Sequence, residues 1–305
     1  VGEPNIFYWL VMLLWFIVTT WSCNLNCIYC GNEPNPYGEP TLPTYDMEHL
    51  RRFLSNDKGP TIAFYGGEPL LNIRFIEYII NHVQADHFII QTNGILLNKI
   101  SQILPRIDTI LVSVDGPKEI TDYYRGTGVY NSVIQNVKLI KSLGYNGDLI
   151  ARMTISGRSN IYRDVLHLAS LGLFDHIHWQ LDVMFDAPPR RYPDFDSWIK
   201  NYNKGIGSLL DFWMSKLSEG NVIGLVPFQG IIKRIIEGGG RTPPCGSGVD
   251  AFCISTSGNI YACPISPSID FLVGSIYESE IGDLPYKISI GEPCISCDYF
   301  EICGG

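Results

Sequence analysis

The sequence is short of charge, and what charge it has is one-sided. Only 17% of its 305 residues are Asp, Glu, Lys or Arg, and the balance is −9 at pH 7. It contains no run of Lys or Arg, so a nucleic-acid backbone, which needs a basic footprint, is excluded as the expected partner. A long hydrophobic run is also missing. The most apolar stretch, residues 6–18, is too short to span a bilayer and lacks the basic flank and small-residue cleavage site of a secretory signal. It reads as a buried strand with an apolar leader, in which Met12 is a natural start. No membrane partner is expected. Because the sequence opens on Val1 and stops at Gly305 soon after a cysteine, it reads as a fragment of a longer protein.

Nine cysteines is an odd number, which argues against a closed disulfide framework and for metal ligation in a reducing cytoplasm. They fall into three trios: Cys23, Cys27 and Cys30; Cys245, Cys253 and Cys263; Cys294, Cys297 and Cys303. The first is spaced C-x3-C-x2-C. Three close thiolates suit an iron–sulfur cluster, and a four-iron cluster so held keeps one iron free to bind a small molecule. Zinc would need a fourth ligand from elsewhere, and buried core cysteines are a third reading.

Hydrophobic content of 46% is that of a compact globular protein able to bury about three quarters of its unfolded surface. Apolar runs at residues 14–19, 61–65, 88–92, 109–114, 149–155 and 176–184 read as strands. Helical periodicity lies between them. A helix starts near Thr44 or Asp46, Asn72 caps a second, a third starts near Asn131 with Val133, Val137, Ile140 and Leu143 inward before Gly144 stops it, and a fourth carries Val165, Leu168 and Leu171. Such alternation predicts a parallel α/β sheet with its sites at the C-terminal strand ends. The sixth strand alternates polar His176, His178, Gln180 and Asp182 with apolar neighbours. If helices cover the apolar face, the polar one lies where a substrate would sit, and if this is an edge strand it is merely solvated. Residues 195–237 read as mainly helical after Pro188-Pro189-Arg190-Arg191, and residues 252–255 and 259–262 read as a β-hairpin.

The triplet, with Tyr29 before its last cysteine, and Gly66-Gly67-Glu68-Pro69 one βα unit later resemble the radical S-adenosylmethionine (radical SAM) enzymes. That resemblance implies a partial (β/α)6 TIM-like barrel, a 4Fe-4S cluster on Cys23, Cys27 and Cys30, and S-adenosylmethionine on its free iron. It further implies that Gly66, Gly67, Glu68 and Pro69 receive the amino group, that Tyr29 packs near the adenine, and that Thr92 and Asn93 lie close to the cofactor. Ser113 and Asp115 would hold the ribose, and Arg125 and Arg152 are candidates for the methionine carboxylate. Gln180 and Asp182 are candidate substrate contacts.

The six later cysteines resemble the SPASM (or smaller twitch-like) extension of peptide-modifying members, with one or two auxiliary iron–sulfur clusters and part of the pattern beyond Gly305. The implied organisation is a core over residues 1–185, a mainly helical connector over 186–240 and a cysteine-rich auxiliary domain over 241–305. The implied function is an oxygen-sensitive cytoplasmic enzyme that generates a 5′-deoxyadenosyl radical to modify a peptide or protein, supplied with electrons by a ferredoxin or flavodoxin. Alternatives are a sulfatase-maturase-like enzyme, a small-molecule radical SAM enzyme, and a non-enzymatic iron–sulfur electron carrier.

Overall fold

The computed structural model describes residues 13–30, 38–182, 194–240, 243–265, 269–284 and 290–304. Met12, the boundary at Pro188 to Arg191, and Val183 and Met184 of the expected sixth strand lie outside the described residues.

In chain order the elements are β1 (Leu14–Thr20), α1 (Met47–Leu54), β2 (Thr61–Gly66), α2 (Ile73–His82), β3 (His87–Thr92), β4 (Thr109–Ser113), α3 (Lys118–Arg125), α4 (Val129–Ser142) and β5 (Asp148–Ile155). There follow α5 (Ile161–Ser170), β6 (His176–Leu181), α6 (Phe195–Ser218), β7 (Gly224–Leu225), α7 (Val226–Glu237), β8 (Ala251–Ile254), β9 (Asn259–Tyr261), β10 (Leu272–Ser275) and α8 (Phe300–Cys303). All six expected strands are present. The chain forms two compact units, one of Val1–Ser22, Pro34–Ile89 and Gly239–Gly305, the other of Cys23–Glu33 and Ile90–Gly238. β3 runs across the division.

In the first unit the strand order is β10-β9-β8-β1-β2. β1 is parallel to both neighbours, with Phe16 opposite Ala63 of β2 and Cys253 of β8. A strand flanked on both sides and covered on both faces is selected as an apolar run, and Trp15, Ile17 and Val18 are fully buried. Asp46 caps α1 by accepting from the Glu48 amide at 3.0 Å, which seats Leu50, Phe53 and Leu54 inward. Phe53 meets Trp15 edge to face at 5.2 Å. The expected hairpin is β8 and β9, antiparallel with Cys253 opposite Tyr261. The cysteine-rich residues are thus not set apart, because the wholly buried run Ala251–Ile254 finds its sheet partner in β1. Asn72 stands at the N-cap position of α2, as expected, but its side chain makes no capping bond. A 3₁₀ turn over Pro69–Asn72 leads into that helix, and the Asn72 amide donates instead to the Thr19 carbonyl at 2.8 Å.

In the second unit β4, β5, β6 and β7 are parallel neighbours in that order. Alternate residues of β5, Leu149, Ala151, Met153 and Ile155, are buried together with Val133, Val137 and Ile140 of α4 and Val165 and Leu168 of α5. Leu143 does not point inward; it follows the last turn of α4 and is 54% exposed, and Gly144 at φ +86° ends the helix. β6 is paired on both sides, and its Trp179 packs against Phe228 of α7, so helices cover its apolar face and it is not an edge.

Candidate active site

After β2 the Gly66-Gly67-Glu68-Pro69 turn is pressed against the residues that lead from β1 to Cys23. The Gly67 amide donates to the Thr20 carbonyl at 2.9 Å and the Glu68 amide to the Ser22 carbonyl at 2.8 Å. A Cβ on Gly66 (φ +134°) would collide with the Thr20 carbonyl, and one on Gly67 with those of Trp21 and Ser22. Only glycine permits this approach. Glu68 is fully buried, and one carboxylate oxygen accepts from the Leu70 amide at 3.1 Å. Pro69 opens the 3₁₀ turn, and its carbonyl accepts from the Thr19 hydroxyl.

In the second unit Cys23 and Cys30 are exposed, Cys27 is half-buried, and none is in a disulfide. Burial pushes the Cys27 thiol up to about 11, with the Arg125 guanidinium pulling the other way and Cys30, Asp115 and Cys23 adding to the rise. The loop is attached at named points. The Ile28 amide donates to the Tyr124 carbonyl at 2.8 Å, and the Asn93 amide donates to Asn24 Oδ1 at 2.7 Å and reaches toward Cys23 Sγ at 3.8 Å. Thr92 Oγ1 accepts from the Gly94 amide. Ser113 is half-exposed at the end of β4.

Tyr29, Asp115 and Arg125 form a single buried network, which separate motif readings did not anticipate. Asp115 has no exposed surface and accepts four hydrogen bonds: from Arg125 Nε (2.8 Å) and Tyr29 OH (2.6 Å) at Oδ2, and from Arg125 Nη2 (2.8 Å) and the Thr154 amide (2.9 Å) at Oδ1. The Arg125 guanidinium also lies 5.4 Å from the Tyr29 ring centroid. The Asp115 oxygens expected at a ribose diol are here met by protein donors, and the Arg125 fork expected at a methionine carboxylate is here closed on Asp115.

Arg152 on β5 donates to Gln180 on β6, and its charge adds to the burial that drives His178 down to about 3, so His178 stays neutral. Ser156 Oγ donates to Asp182 Oδ2 at 2.7 Å. Ser156 and Asp182, together with Ile28, Tyr29, Arg158 and Trp198, line a cavity of about 400 Å³ in the second unit. Of these, sequence reasoning missed Ile28, Ser156, Arg158 and Trp198. The Ser156-Gly157 step just past β5 was the available signal, since it punctuates a strand end as Thr92-Asn93-Gly94 does.

Among the described residues no three or more His, Cys, Asp or Glu side chains are gathered closely enough to hold a metal ion. None of the three expected trios, Cys23/Cys27/Cys30 included, is gathered to that degree. Cys253 is wholly buried with Val18, Trp21 and Tyr261, and burial, then Cys263, raises its thiol well above the ordinary range. Cys245 donates to Ser247 Oγ at 3.4 Å. A core strand position holds Cys253 as a small hydrophobe. The first trio is different, because reduced thiols in an irregular, solvent-facing loop can be drawn together by iron as they lose their protons. Its donor set fits a cluster.

The Radical SAM superfamily profile matches residues 17–169. A cysteine-type anaerobic sulfatase-maturating enzyme of Clostridium novyi is 24% identical over 92% of this chain and 84% of its own, and the mycofactocin maturase MftC of Mycobacterium tuberculosis 22% identical over 97% and 77%. A solved structure described as native anSMEcpe with bound AdoMet superposes with a TM-score of 0.76 at 19% identity, covering 96% of this chain and 88% of that one. The α/β fold inferred from strand and helix alternation is therefore that of these enzymes. No helix of the described residues is long and apolar enough to cross a membrane. With a family match that takes in the cysteine triplet, the Gly-Gly-Glu-Pro turn and the Asp115 network, the chain belongs to the radical SAM superfamily, enzymes that work with a 4Fe-4S cluster and S-adenosylmethionine.

Proposed function

We propose that this enzyme modifies a peptide or protein side chain. The observation that carries this reading is that maturases match it over more than nine tenths of its length, the sulfatase-maturating enzyme and the mycofactocin maturase alike. The sulfatase-maturase relatives also support a narrower second reading, in which the substrate is a sulfatase.

When bound, the cluster and S-adenosylmethionine supply a reducing electron and a carbon-centred radical. The chain's part is to bind and orient. Cys23, Cys27 and Cys30 are the thiolate ligands. Glu68, buried beside two glycines that bring the backbone close, would pair its carboxylate with an ammonium group. The 400 Å³ cavity beside Tyr29 has the size of a small-molecule site, and its aromatic walls with Ser156 and Asp182 suit an adenosyl group. Ser113 remains the ribose candidate on β4, and Arg152 the carboxylate candidate. Gln180 is assigned to the substrate. The later cysteines are assigned to one or two auxiliary clusters, which Cys253 could join only by leaving its packed position. The electron donor is a ferredoxin or flavodoxin, and the compartment is the cytoplasm.

The test is anaerobic reconstitution with iron and sulfide, followed by reductant and S-adenosylmethionine and chromatography for 5′-deoxyadenosine, beside Cys27→Ala. Product from wild type alone is expected, and equal product from Cys27→Ala would sink the ligand assignment. Glu68→Gln is expected to weaken S-adenosylmethionine binding by about tenfold or more without loss of iron, the worth of a charge-assisted bond. Unchanged affinity would remove Glu68 from the site. Adding candidate peptides and following them by mass spectrometry tests the substrate class.

A further inference from the structure

The Cys23–Cys30 loop has no regular secondary structure. Its internal hydrogen bonds include Cys30 N to Cys27 O at 3.0 Å and Leu25 N to Cys23 Sγ at 3.4 Å, and Ile28 turns 60% of its surface to solvent. Yet the residue between two of its cysteines sends its hydroxyl to a carboxylate with no exposed surface, at 2.6 Å. That carboxylate is itself immobilised from three directions. The Arg125 fork closes on it from the last turn of α3, the Thr154 amide reaches it from β5, and its own backbone amide donates to Thr121 Oγ1 at 3.2 Å.

We infer that the Asp115–Arg125 pair is a positioning device, which holds the cluster loop in register through the Tyr29 hydroxyl rather than by touching S-adenosylmethionine. A bond to a charged, already fixed acceptor loses little entropy when it forms, so it is a strong point of attachment for an irregular loop. The Ile28 amide on the Tyr124 carbonyl is the second attachment to the same helix, and Arg125 above the Tyr29 ring restrains that ring. Asp115 and Arg125 are thus positioning residues, which act on the cluster through where Cys27 and Cys30 stand.

The inference rests on the cluster assignment made above, and its test separates the two. The decisive variant is Tyr29→Phe, which removes one hydroxyl and leaves the ion pair whole. In protein loaded anaerobically to equal iron content, iron release to bathophenanthroline disulfonate is expected to quicken by about tenfold, the equivalent of one such bond. The electron paramagnetic resonance spectrum of the dithionite-reduced cluster is expected to broaden, while the Kd for S-adenosylmethionine stays within about twofold because phenylalanine keeps the aromatic ring on the cavity wall. Tyr124→Phe is the control, because its hydroxyl accepts from the Arg158 amide and has no bond to Asp115. Its iron release should match wild type. A tenfold weaker Kd with unchanged iron release would place the phenol on the cofactor and overturn the inference, as would unchanged release together with an unchanged spectrum. Wild type that assembles no cluster would overturn the functional reading instead.

Discussion

Two buried carboxylates, one in each unit, are held by opposite means. Asp115 is matched by a countercharge, the Arg125 fork, with a phenol and an amide completing its shell. Glu39 in the first unit, only 3% exposed, has neutral partners in every bond described: Ser257 through both amide and hydroxyl at 3.0 Å, Tyr261 OH at 2.8 Å, Asn259 Nδ2 at 3.2 Å and Thr256 Oγ1 at 3.4 Å. Burial would raise its pKa, but the Ser257 and Tyr261 bonds outweigh burial and hold it below the usual range. An ion pair ties its two members to each other's fate. A ring of neutral donors spreads the same task over many weak dependencies, and the two hubs should fail differently.

The largest effect is expected at the paired hub. Asp115→Asn strands the buried Arg125 charge and should cost about 3–5 kcal/mol in urea unfolding of the apoprotein. Asp115→Leu combined with Arg125→Met should recover much of that loss, and no recovery would mean the pair does more than balance charge. Glu39→Gln should cost less, about 1–3 kcal/mol, because it disturbs one face of the donor ring without stranding a charge. The same ring predicts an acid response. With the folded pKa of Glu39 below 4.5, its contribution is complete above that value and is lost as pH falls through the folded pKa; Glu39→Gln should remove that part of the acid slope.

His178 sharpens the contrast from the cationic side. Its folded pKa near 3 lies below the ordinary 6.5, so between these values the unfolded chain binds a proton that the folded one refuses. Stability should therefore fall as pH drops from 6.5 toward 3, and His178→Gln should flatten that interval in a pH series of unfolding curves. The smallest effect belongs to a polar group with no solution at all. Tyr45 is 5% exposed and its hydroxyl has no hydrogen-bond partner among the described residues, so Tyr45→Phe should be neutral or stabilise by about 1 kcal/mol.

What the sequence disclosed follows from which forces are local. The six strands were legible because fully buried strands are written as apolar runs closed by Gly, Asn or Asp. α3 was not, because Lys118–Arg125 buries only Ile120, Thr121, Tyr124 and Arg125 and its remaining positions are polar. The cysteine triplet and the glycine turn were legible because the close approach of backbone to backbone admits few residue types. The partnership of Asp115 with Arg125 and Tyr29 was not, because it depends on three segments meeting in space, and each residue alone has the chemistry of a ligand. Cys253 misled for the same reason, since its spacing from other cysteines carries no sign that β8 takes it into the core beside β1.

That pairing of β1 with β8 has a consequence for how the protein is made. β1 leaves the ribosome well before β8, and the partner for its Leu14–Ile17 edge emerges only after β2 to β7 have been synthesised. Until then one side of an apolar strand containing Trp15 and Ile17 offers unsatisfied backbone groups to any neighbouring nascent chain. Contacts this distant in sequence close slowly. The polysome is therefore the place where this fold is most exposed to aggregation, and slow translation through the helices between β6 and β8 would lengthen that exposure.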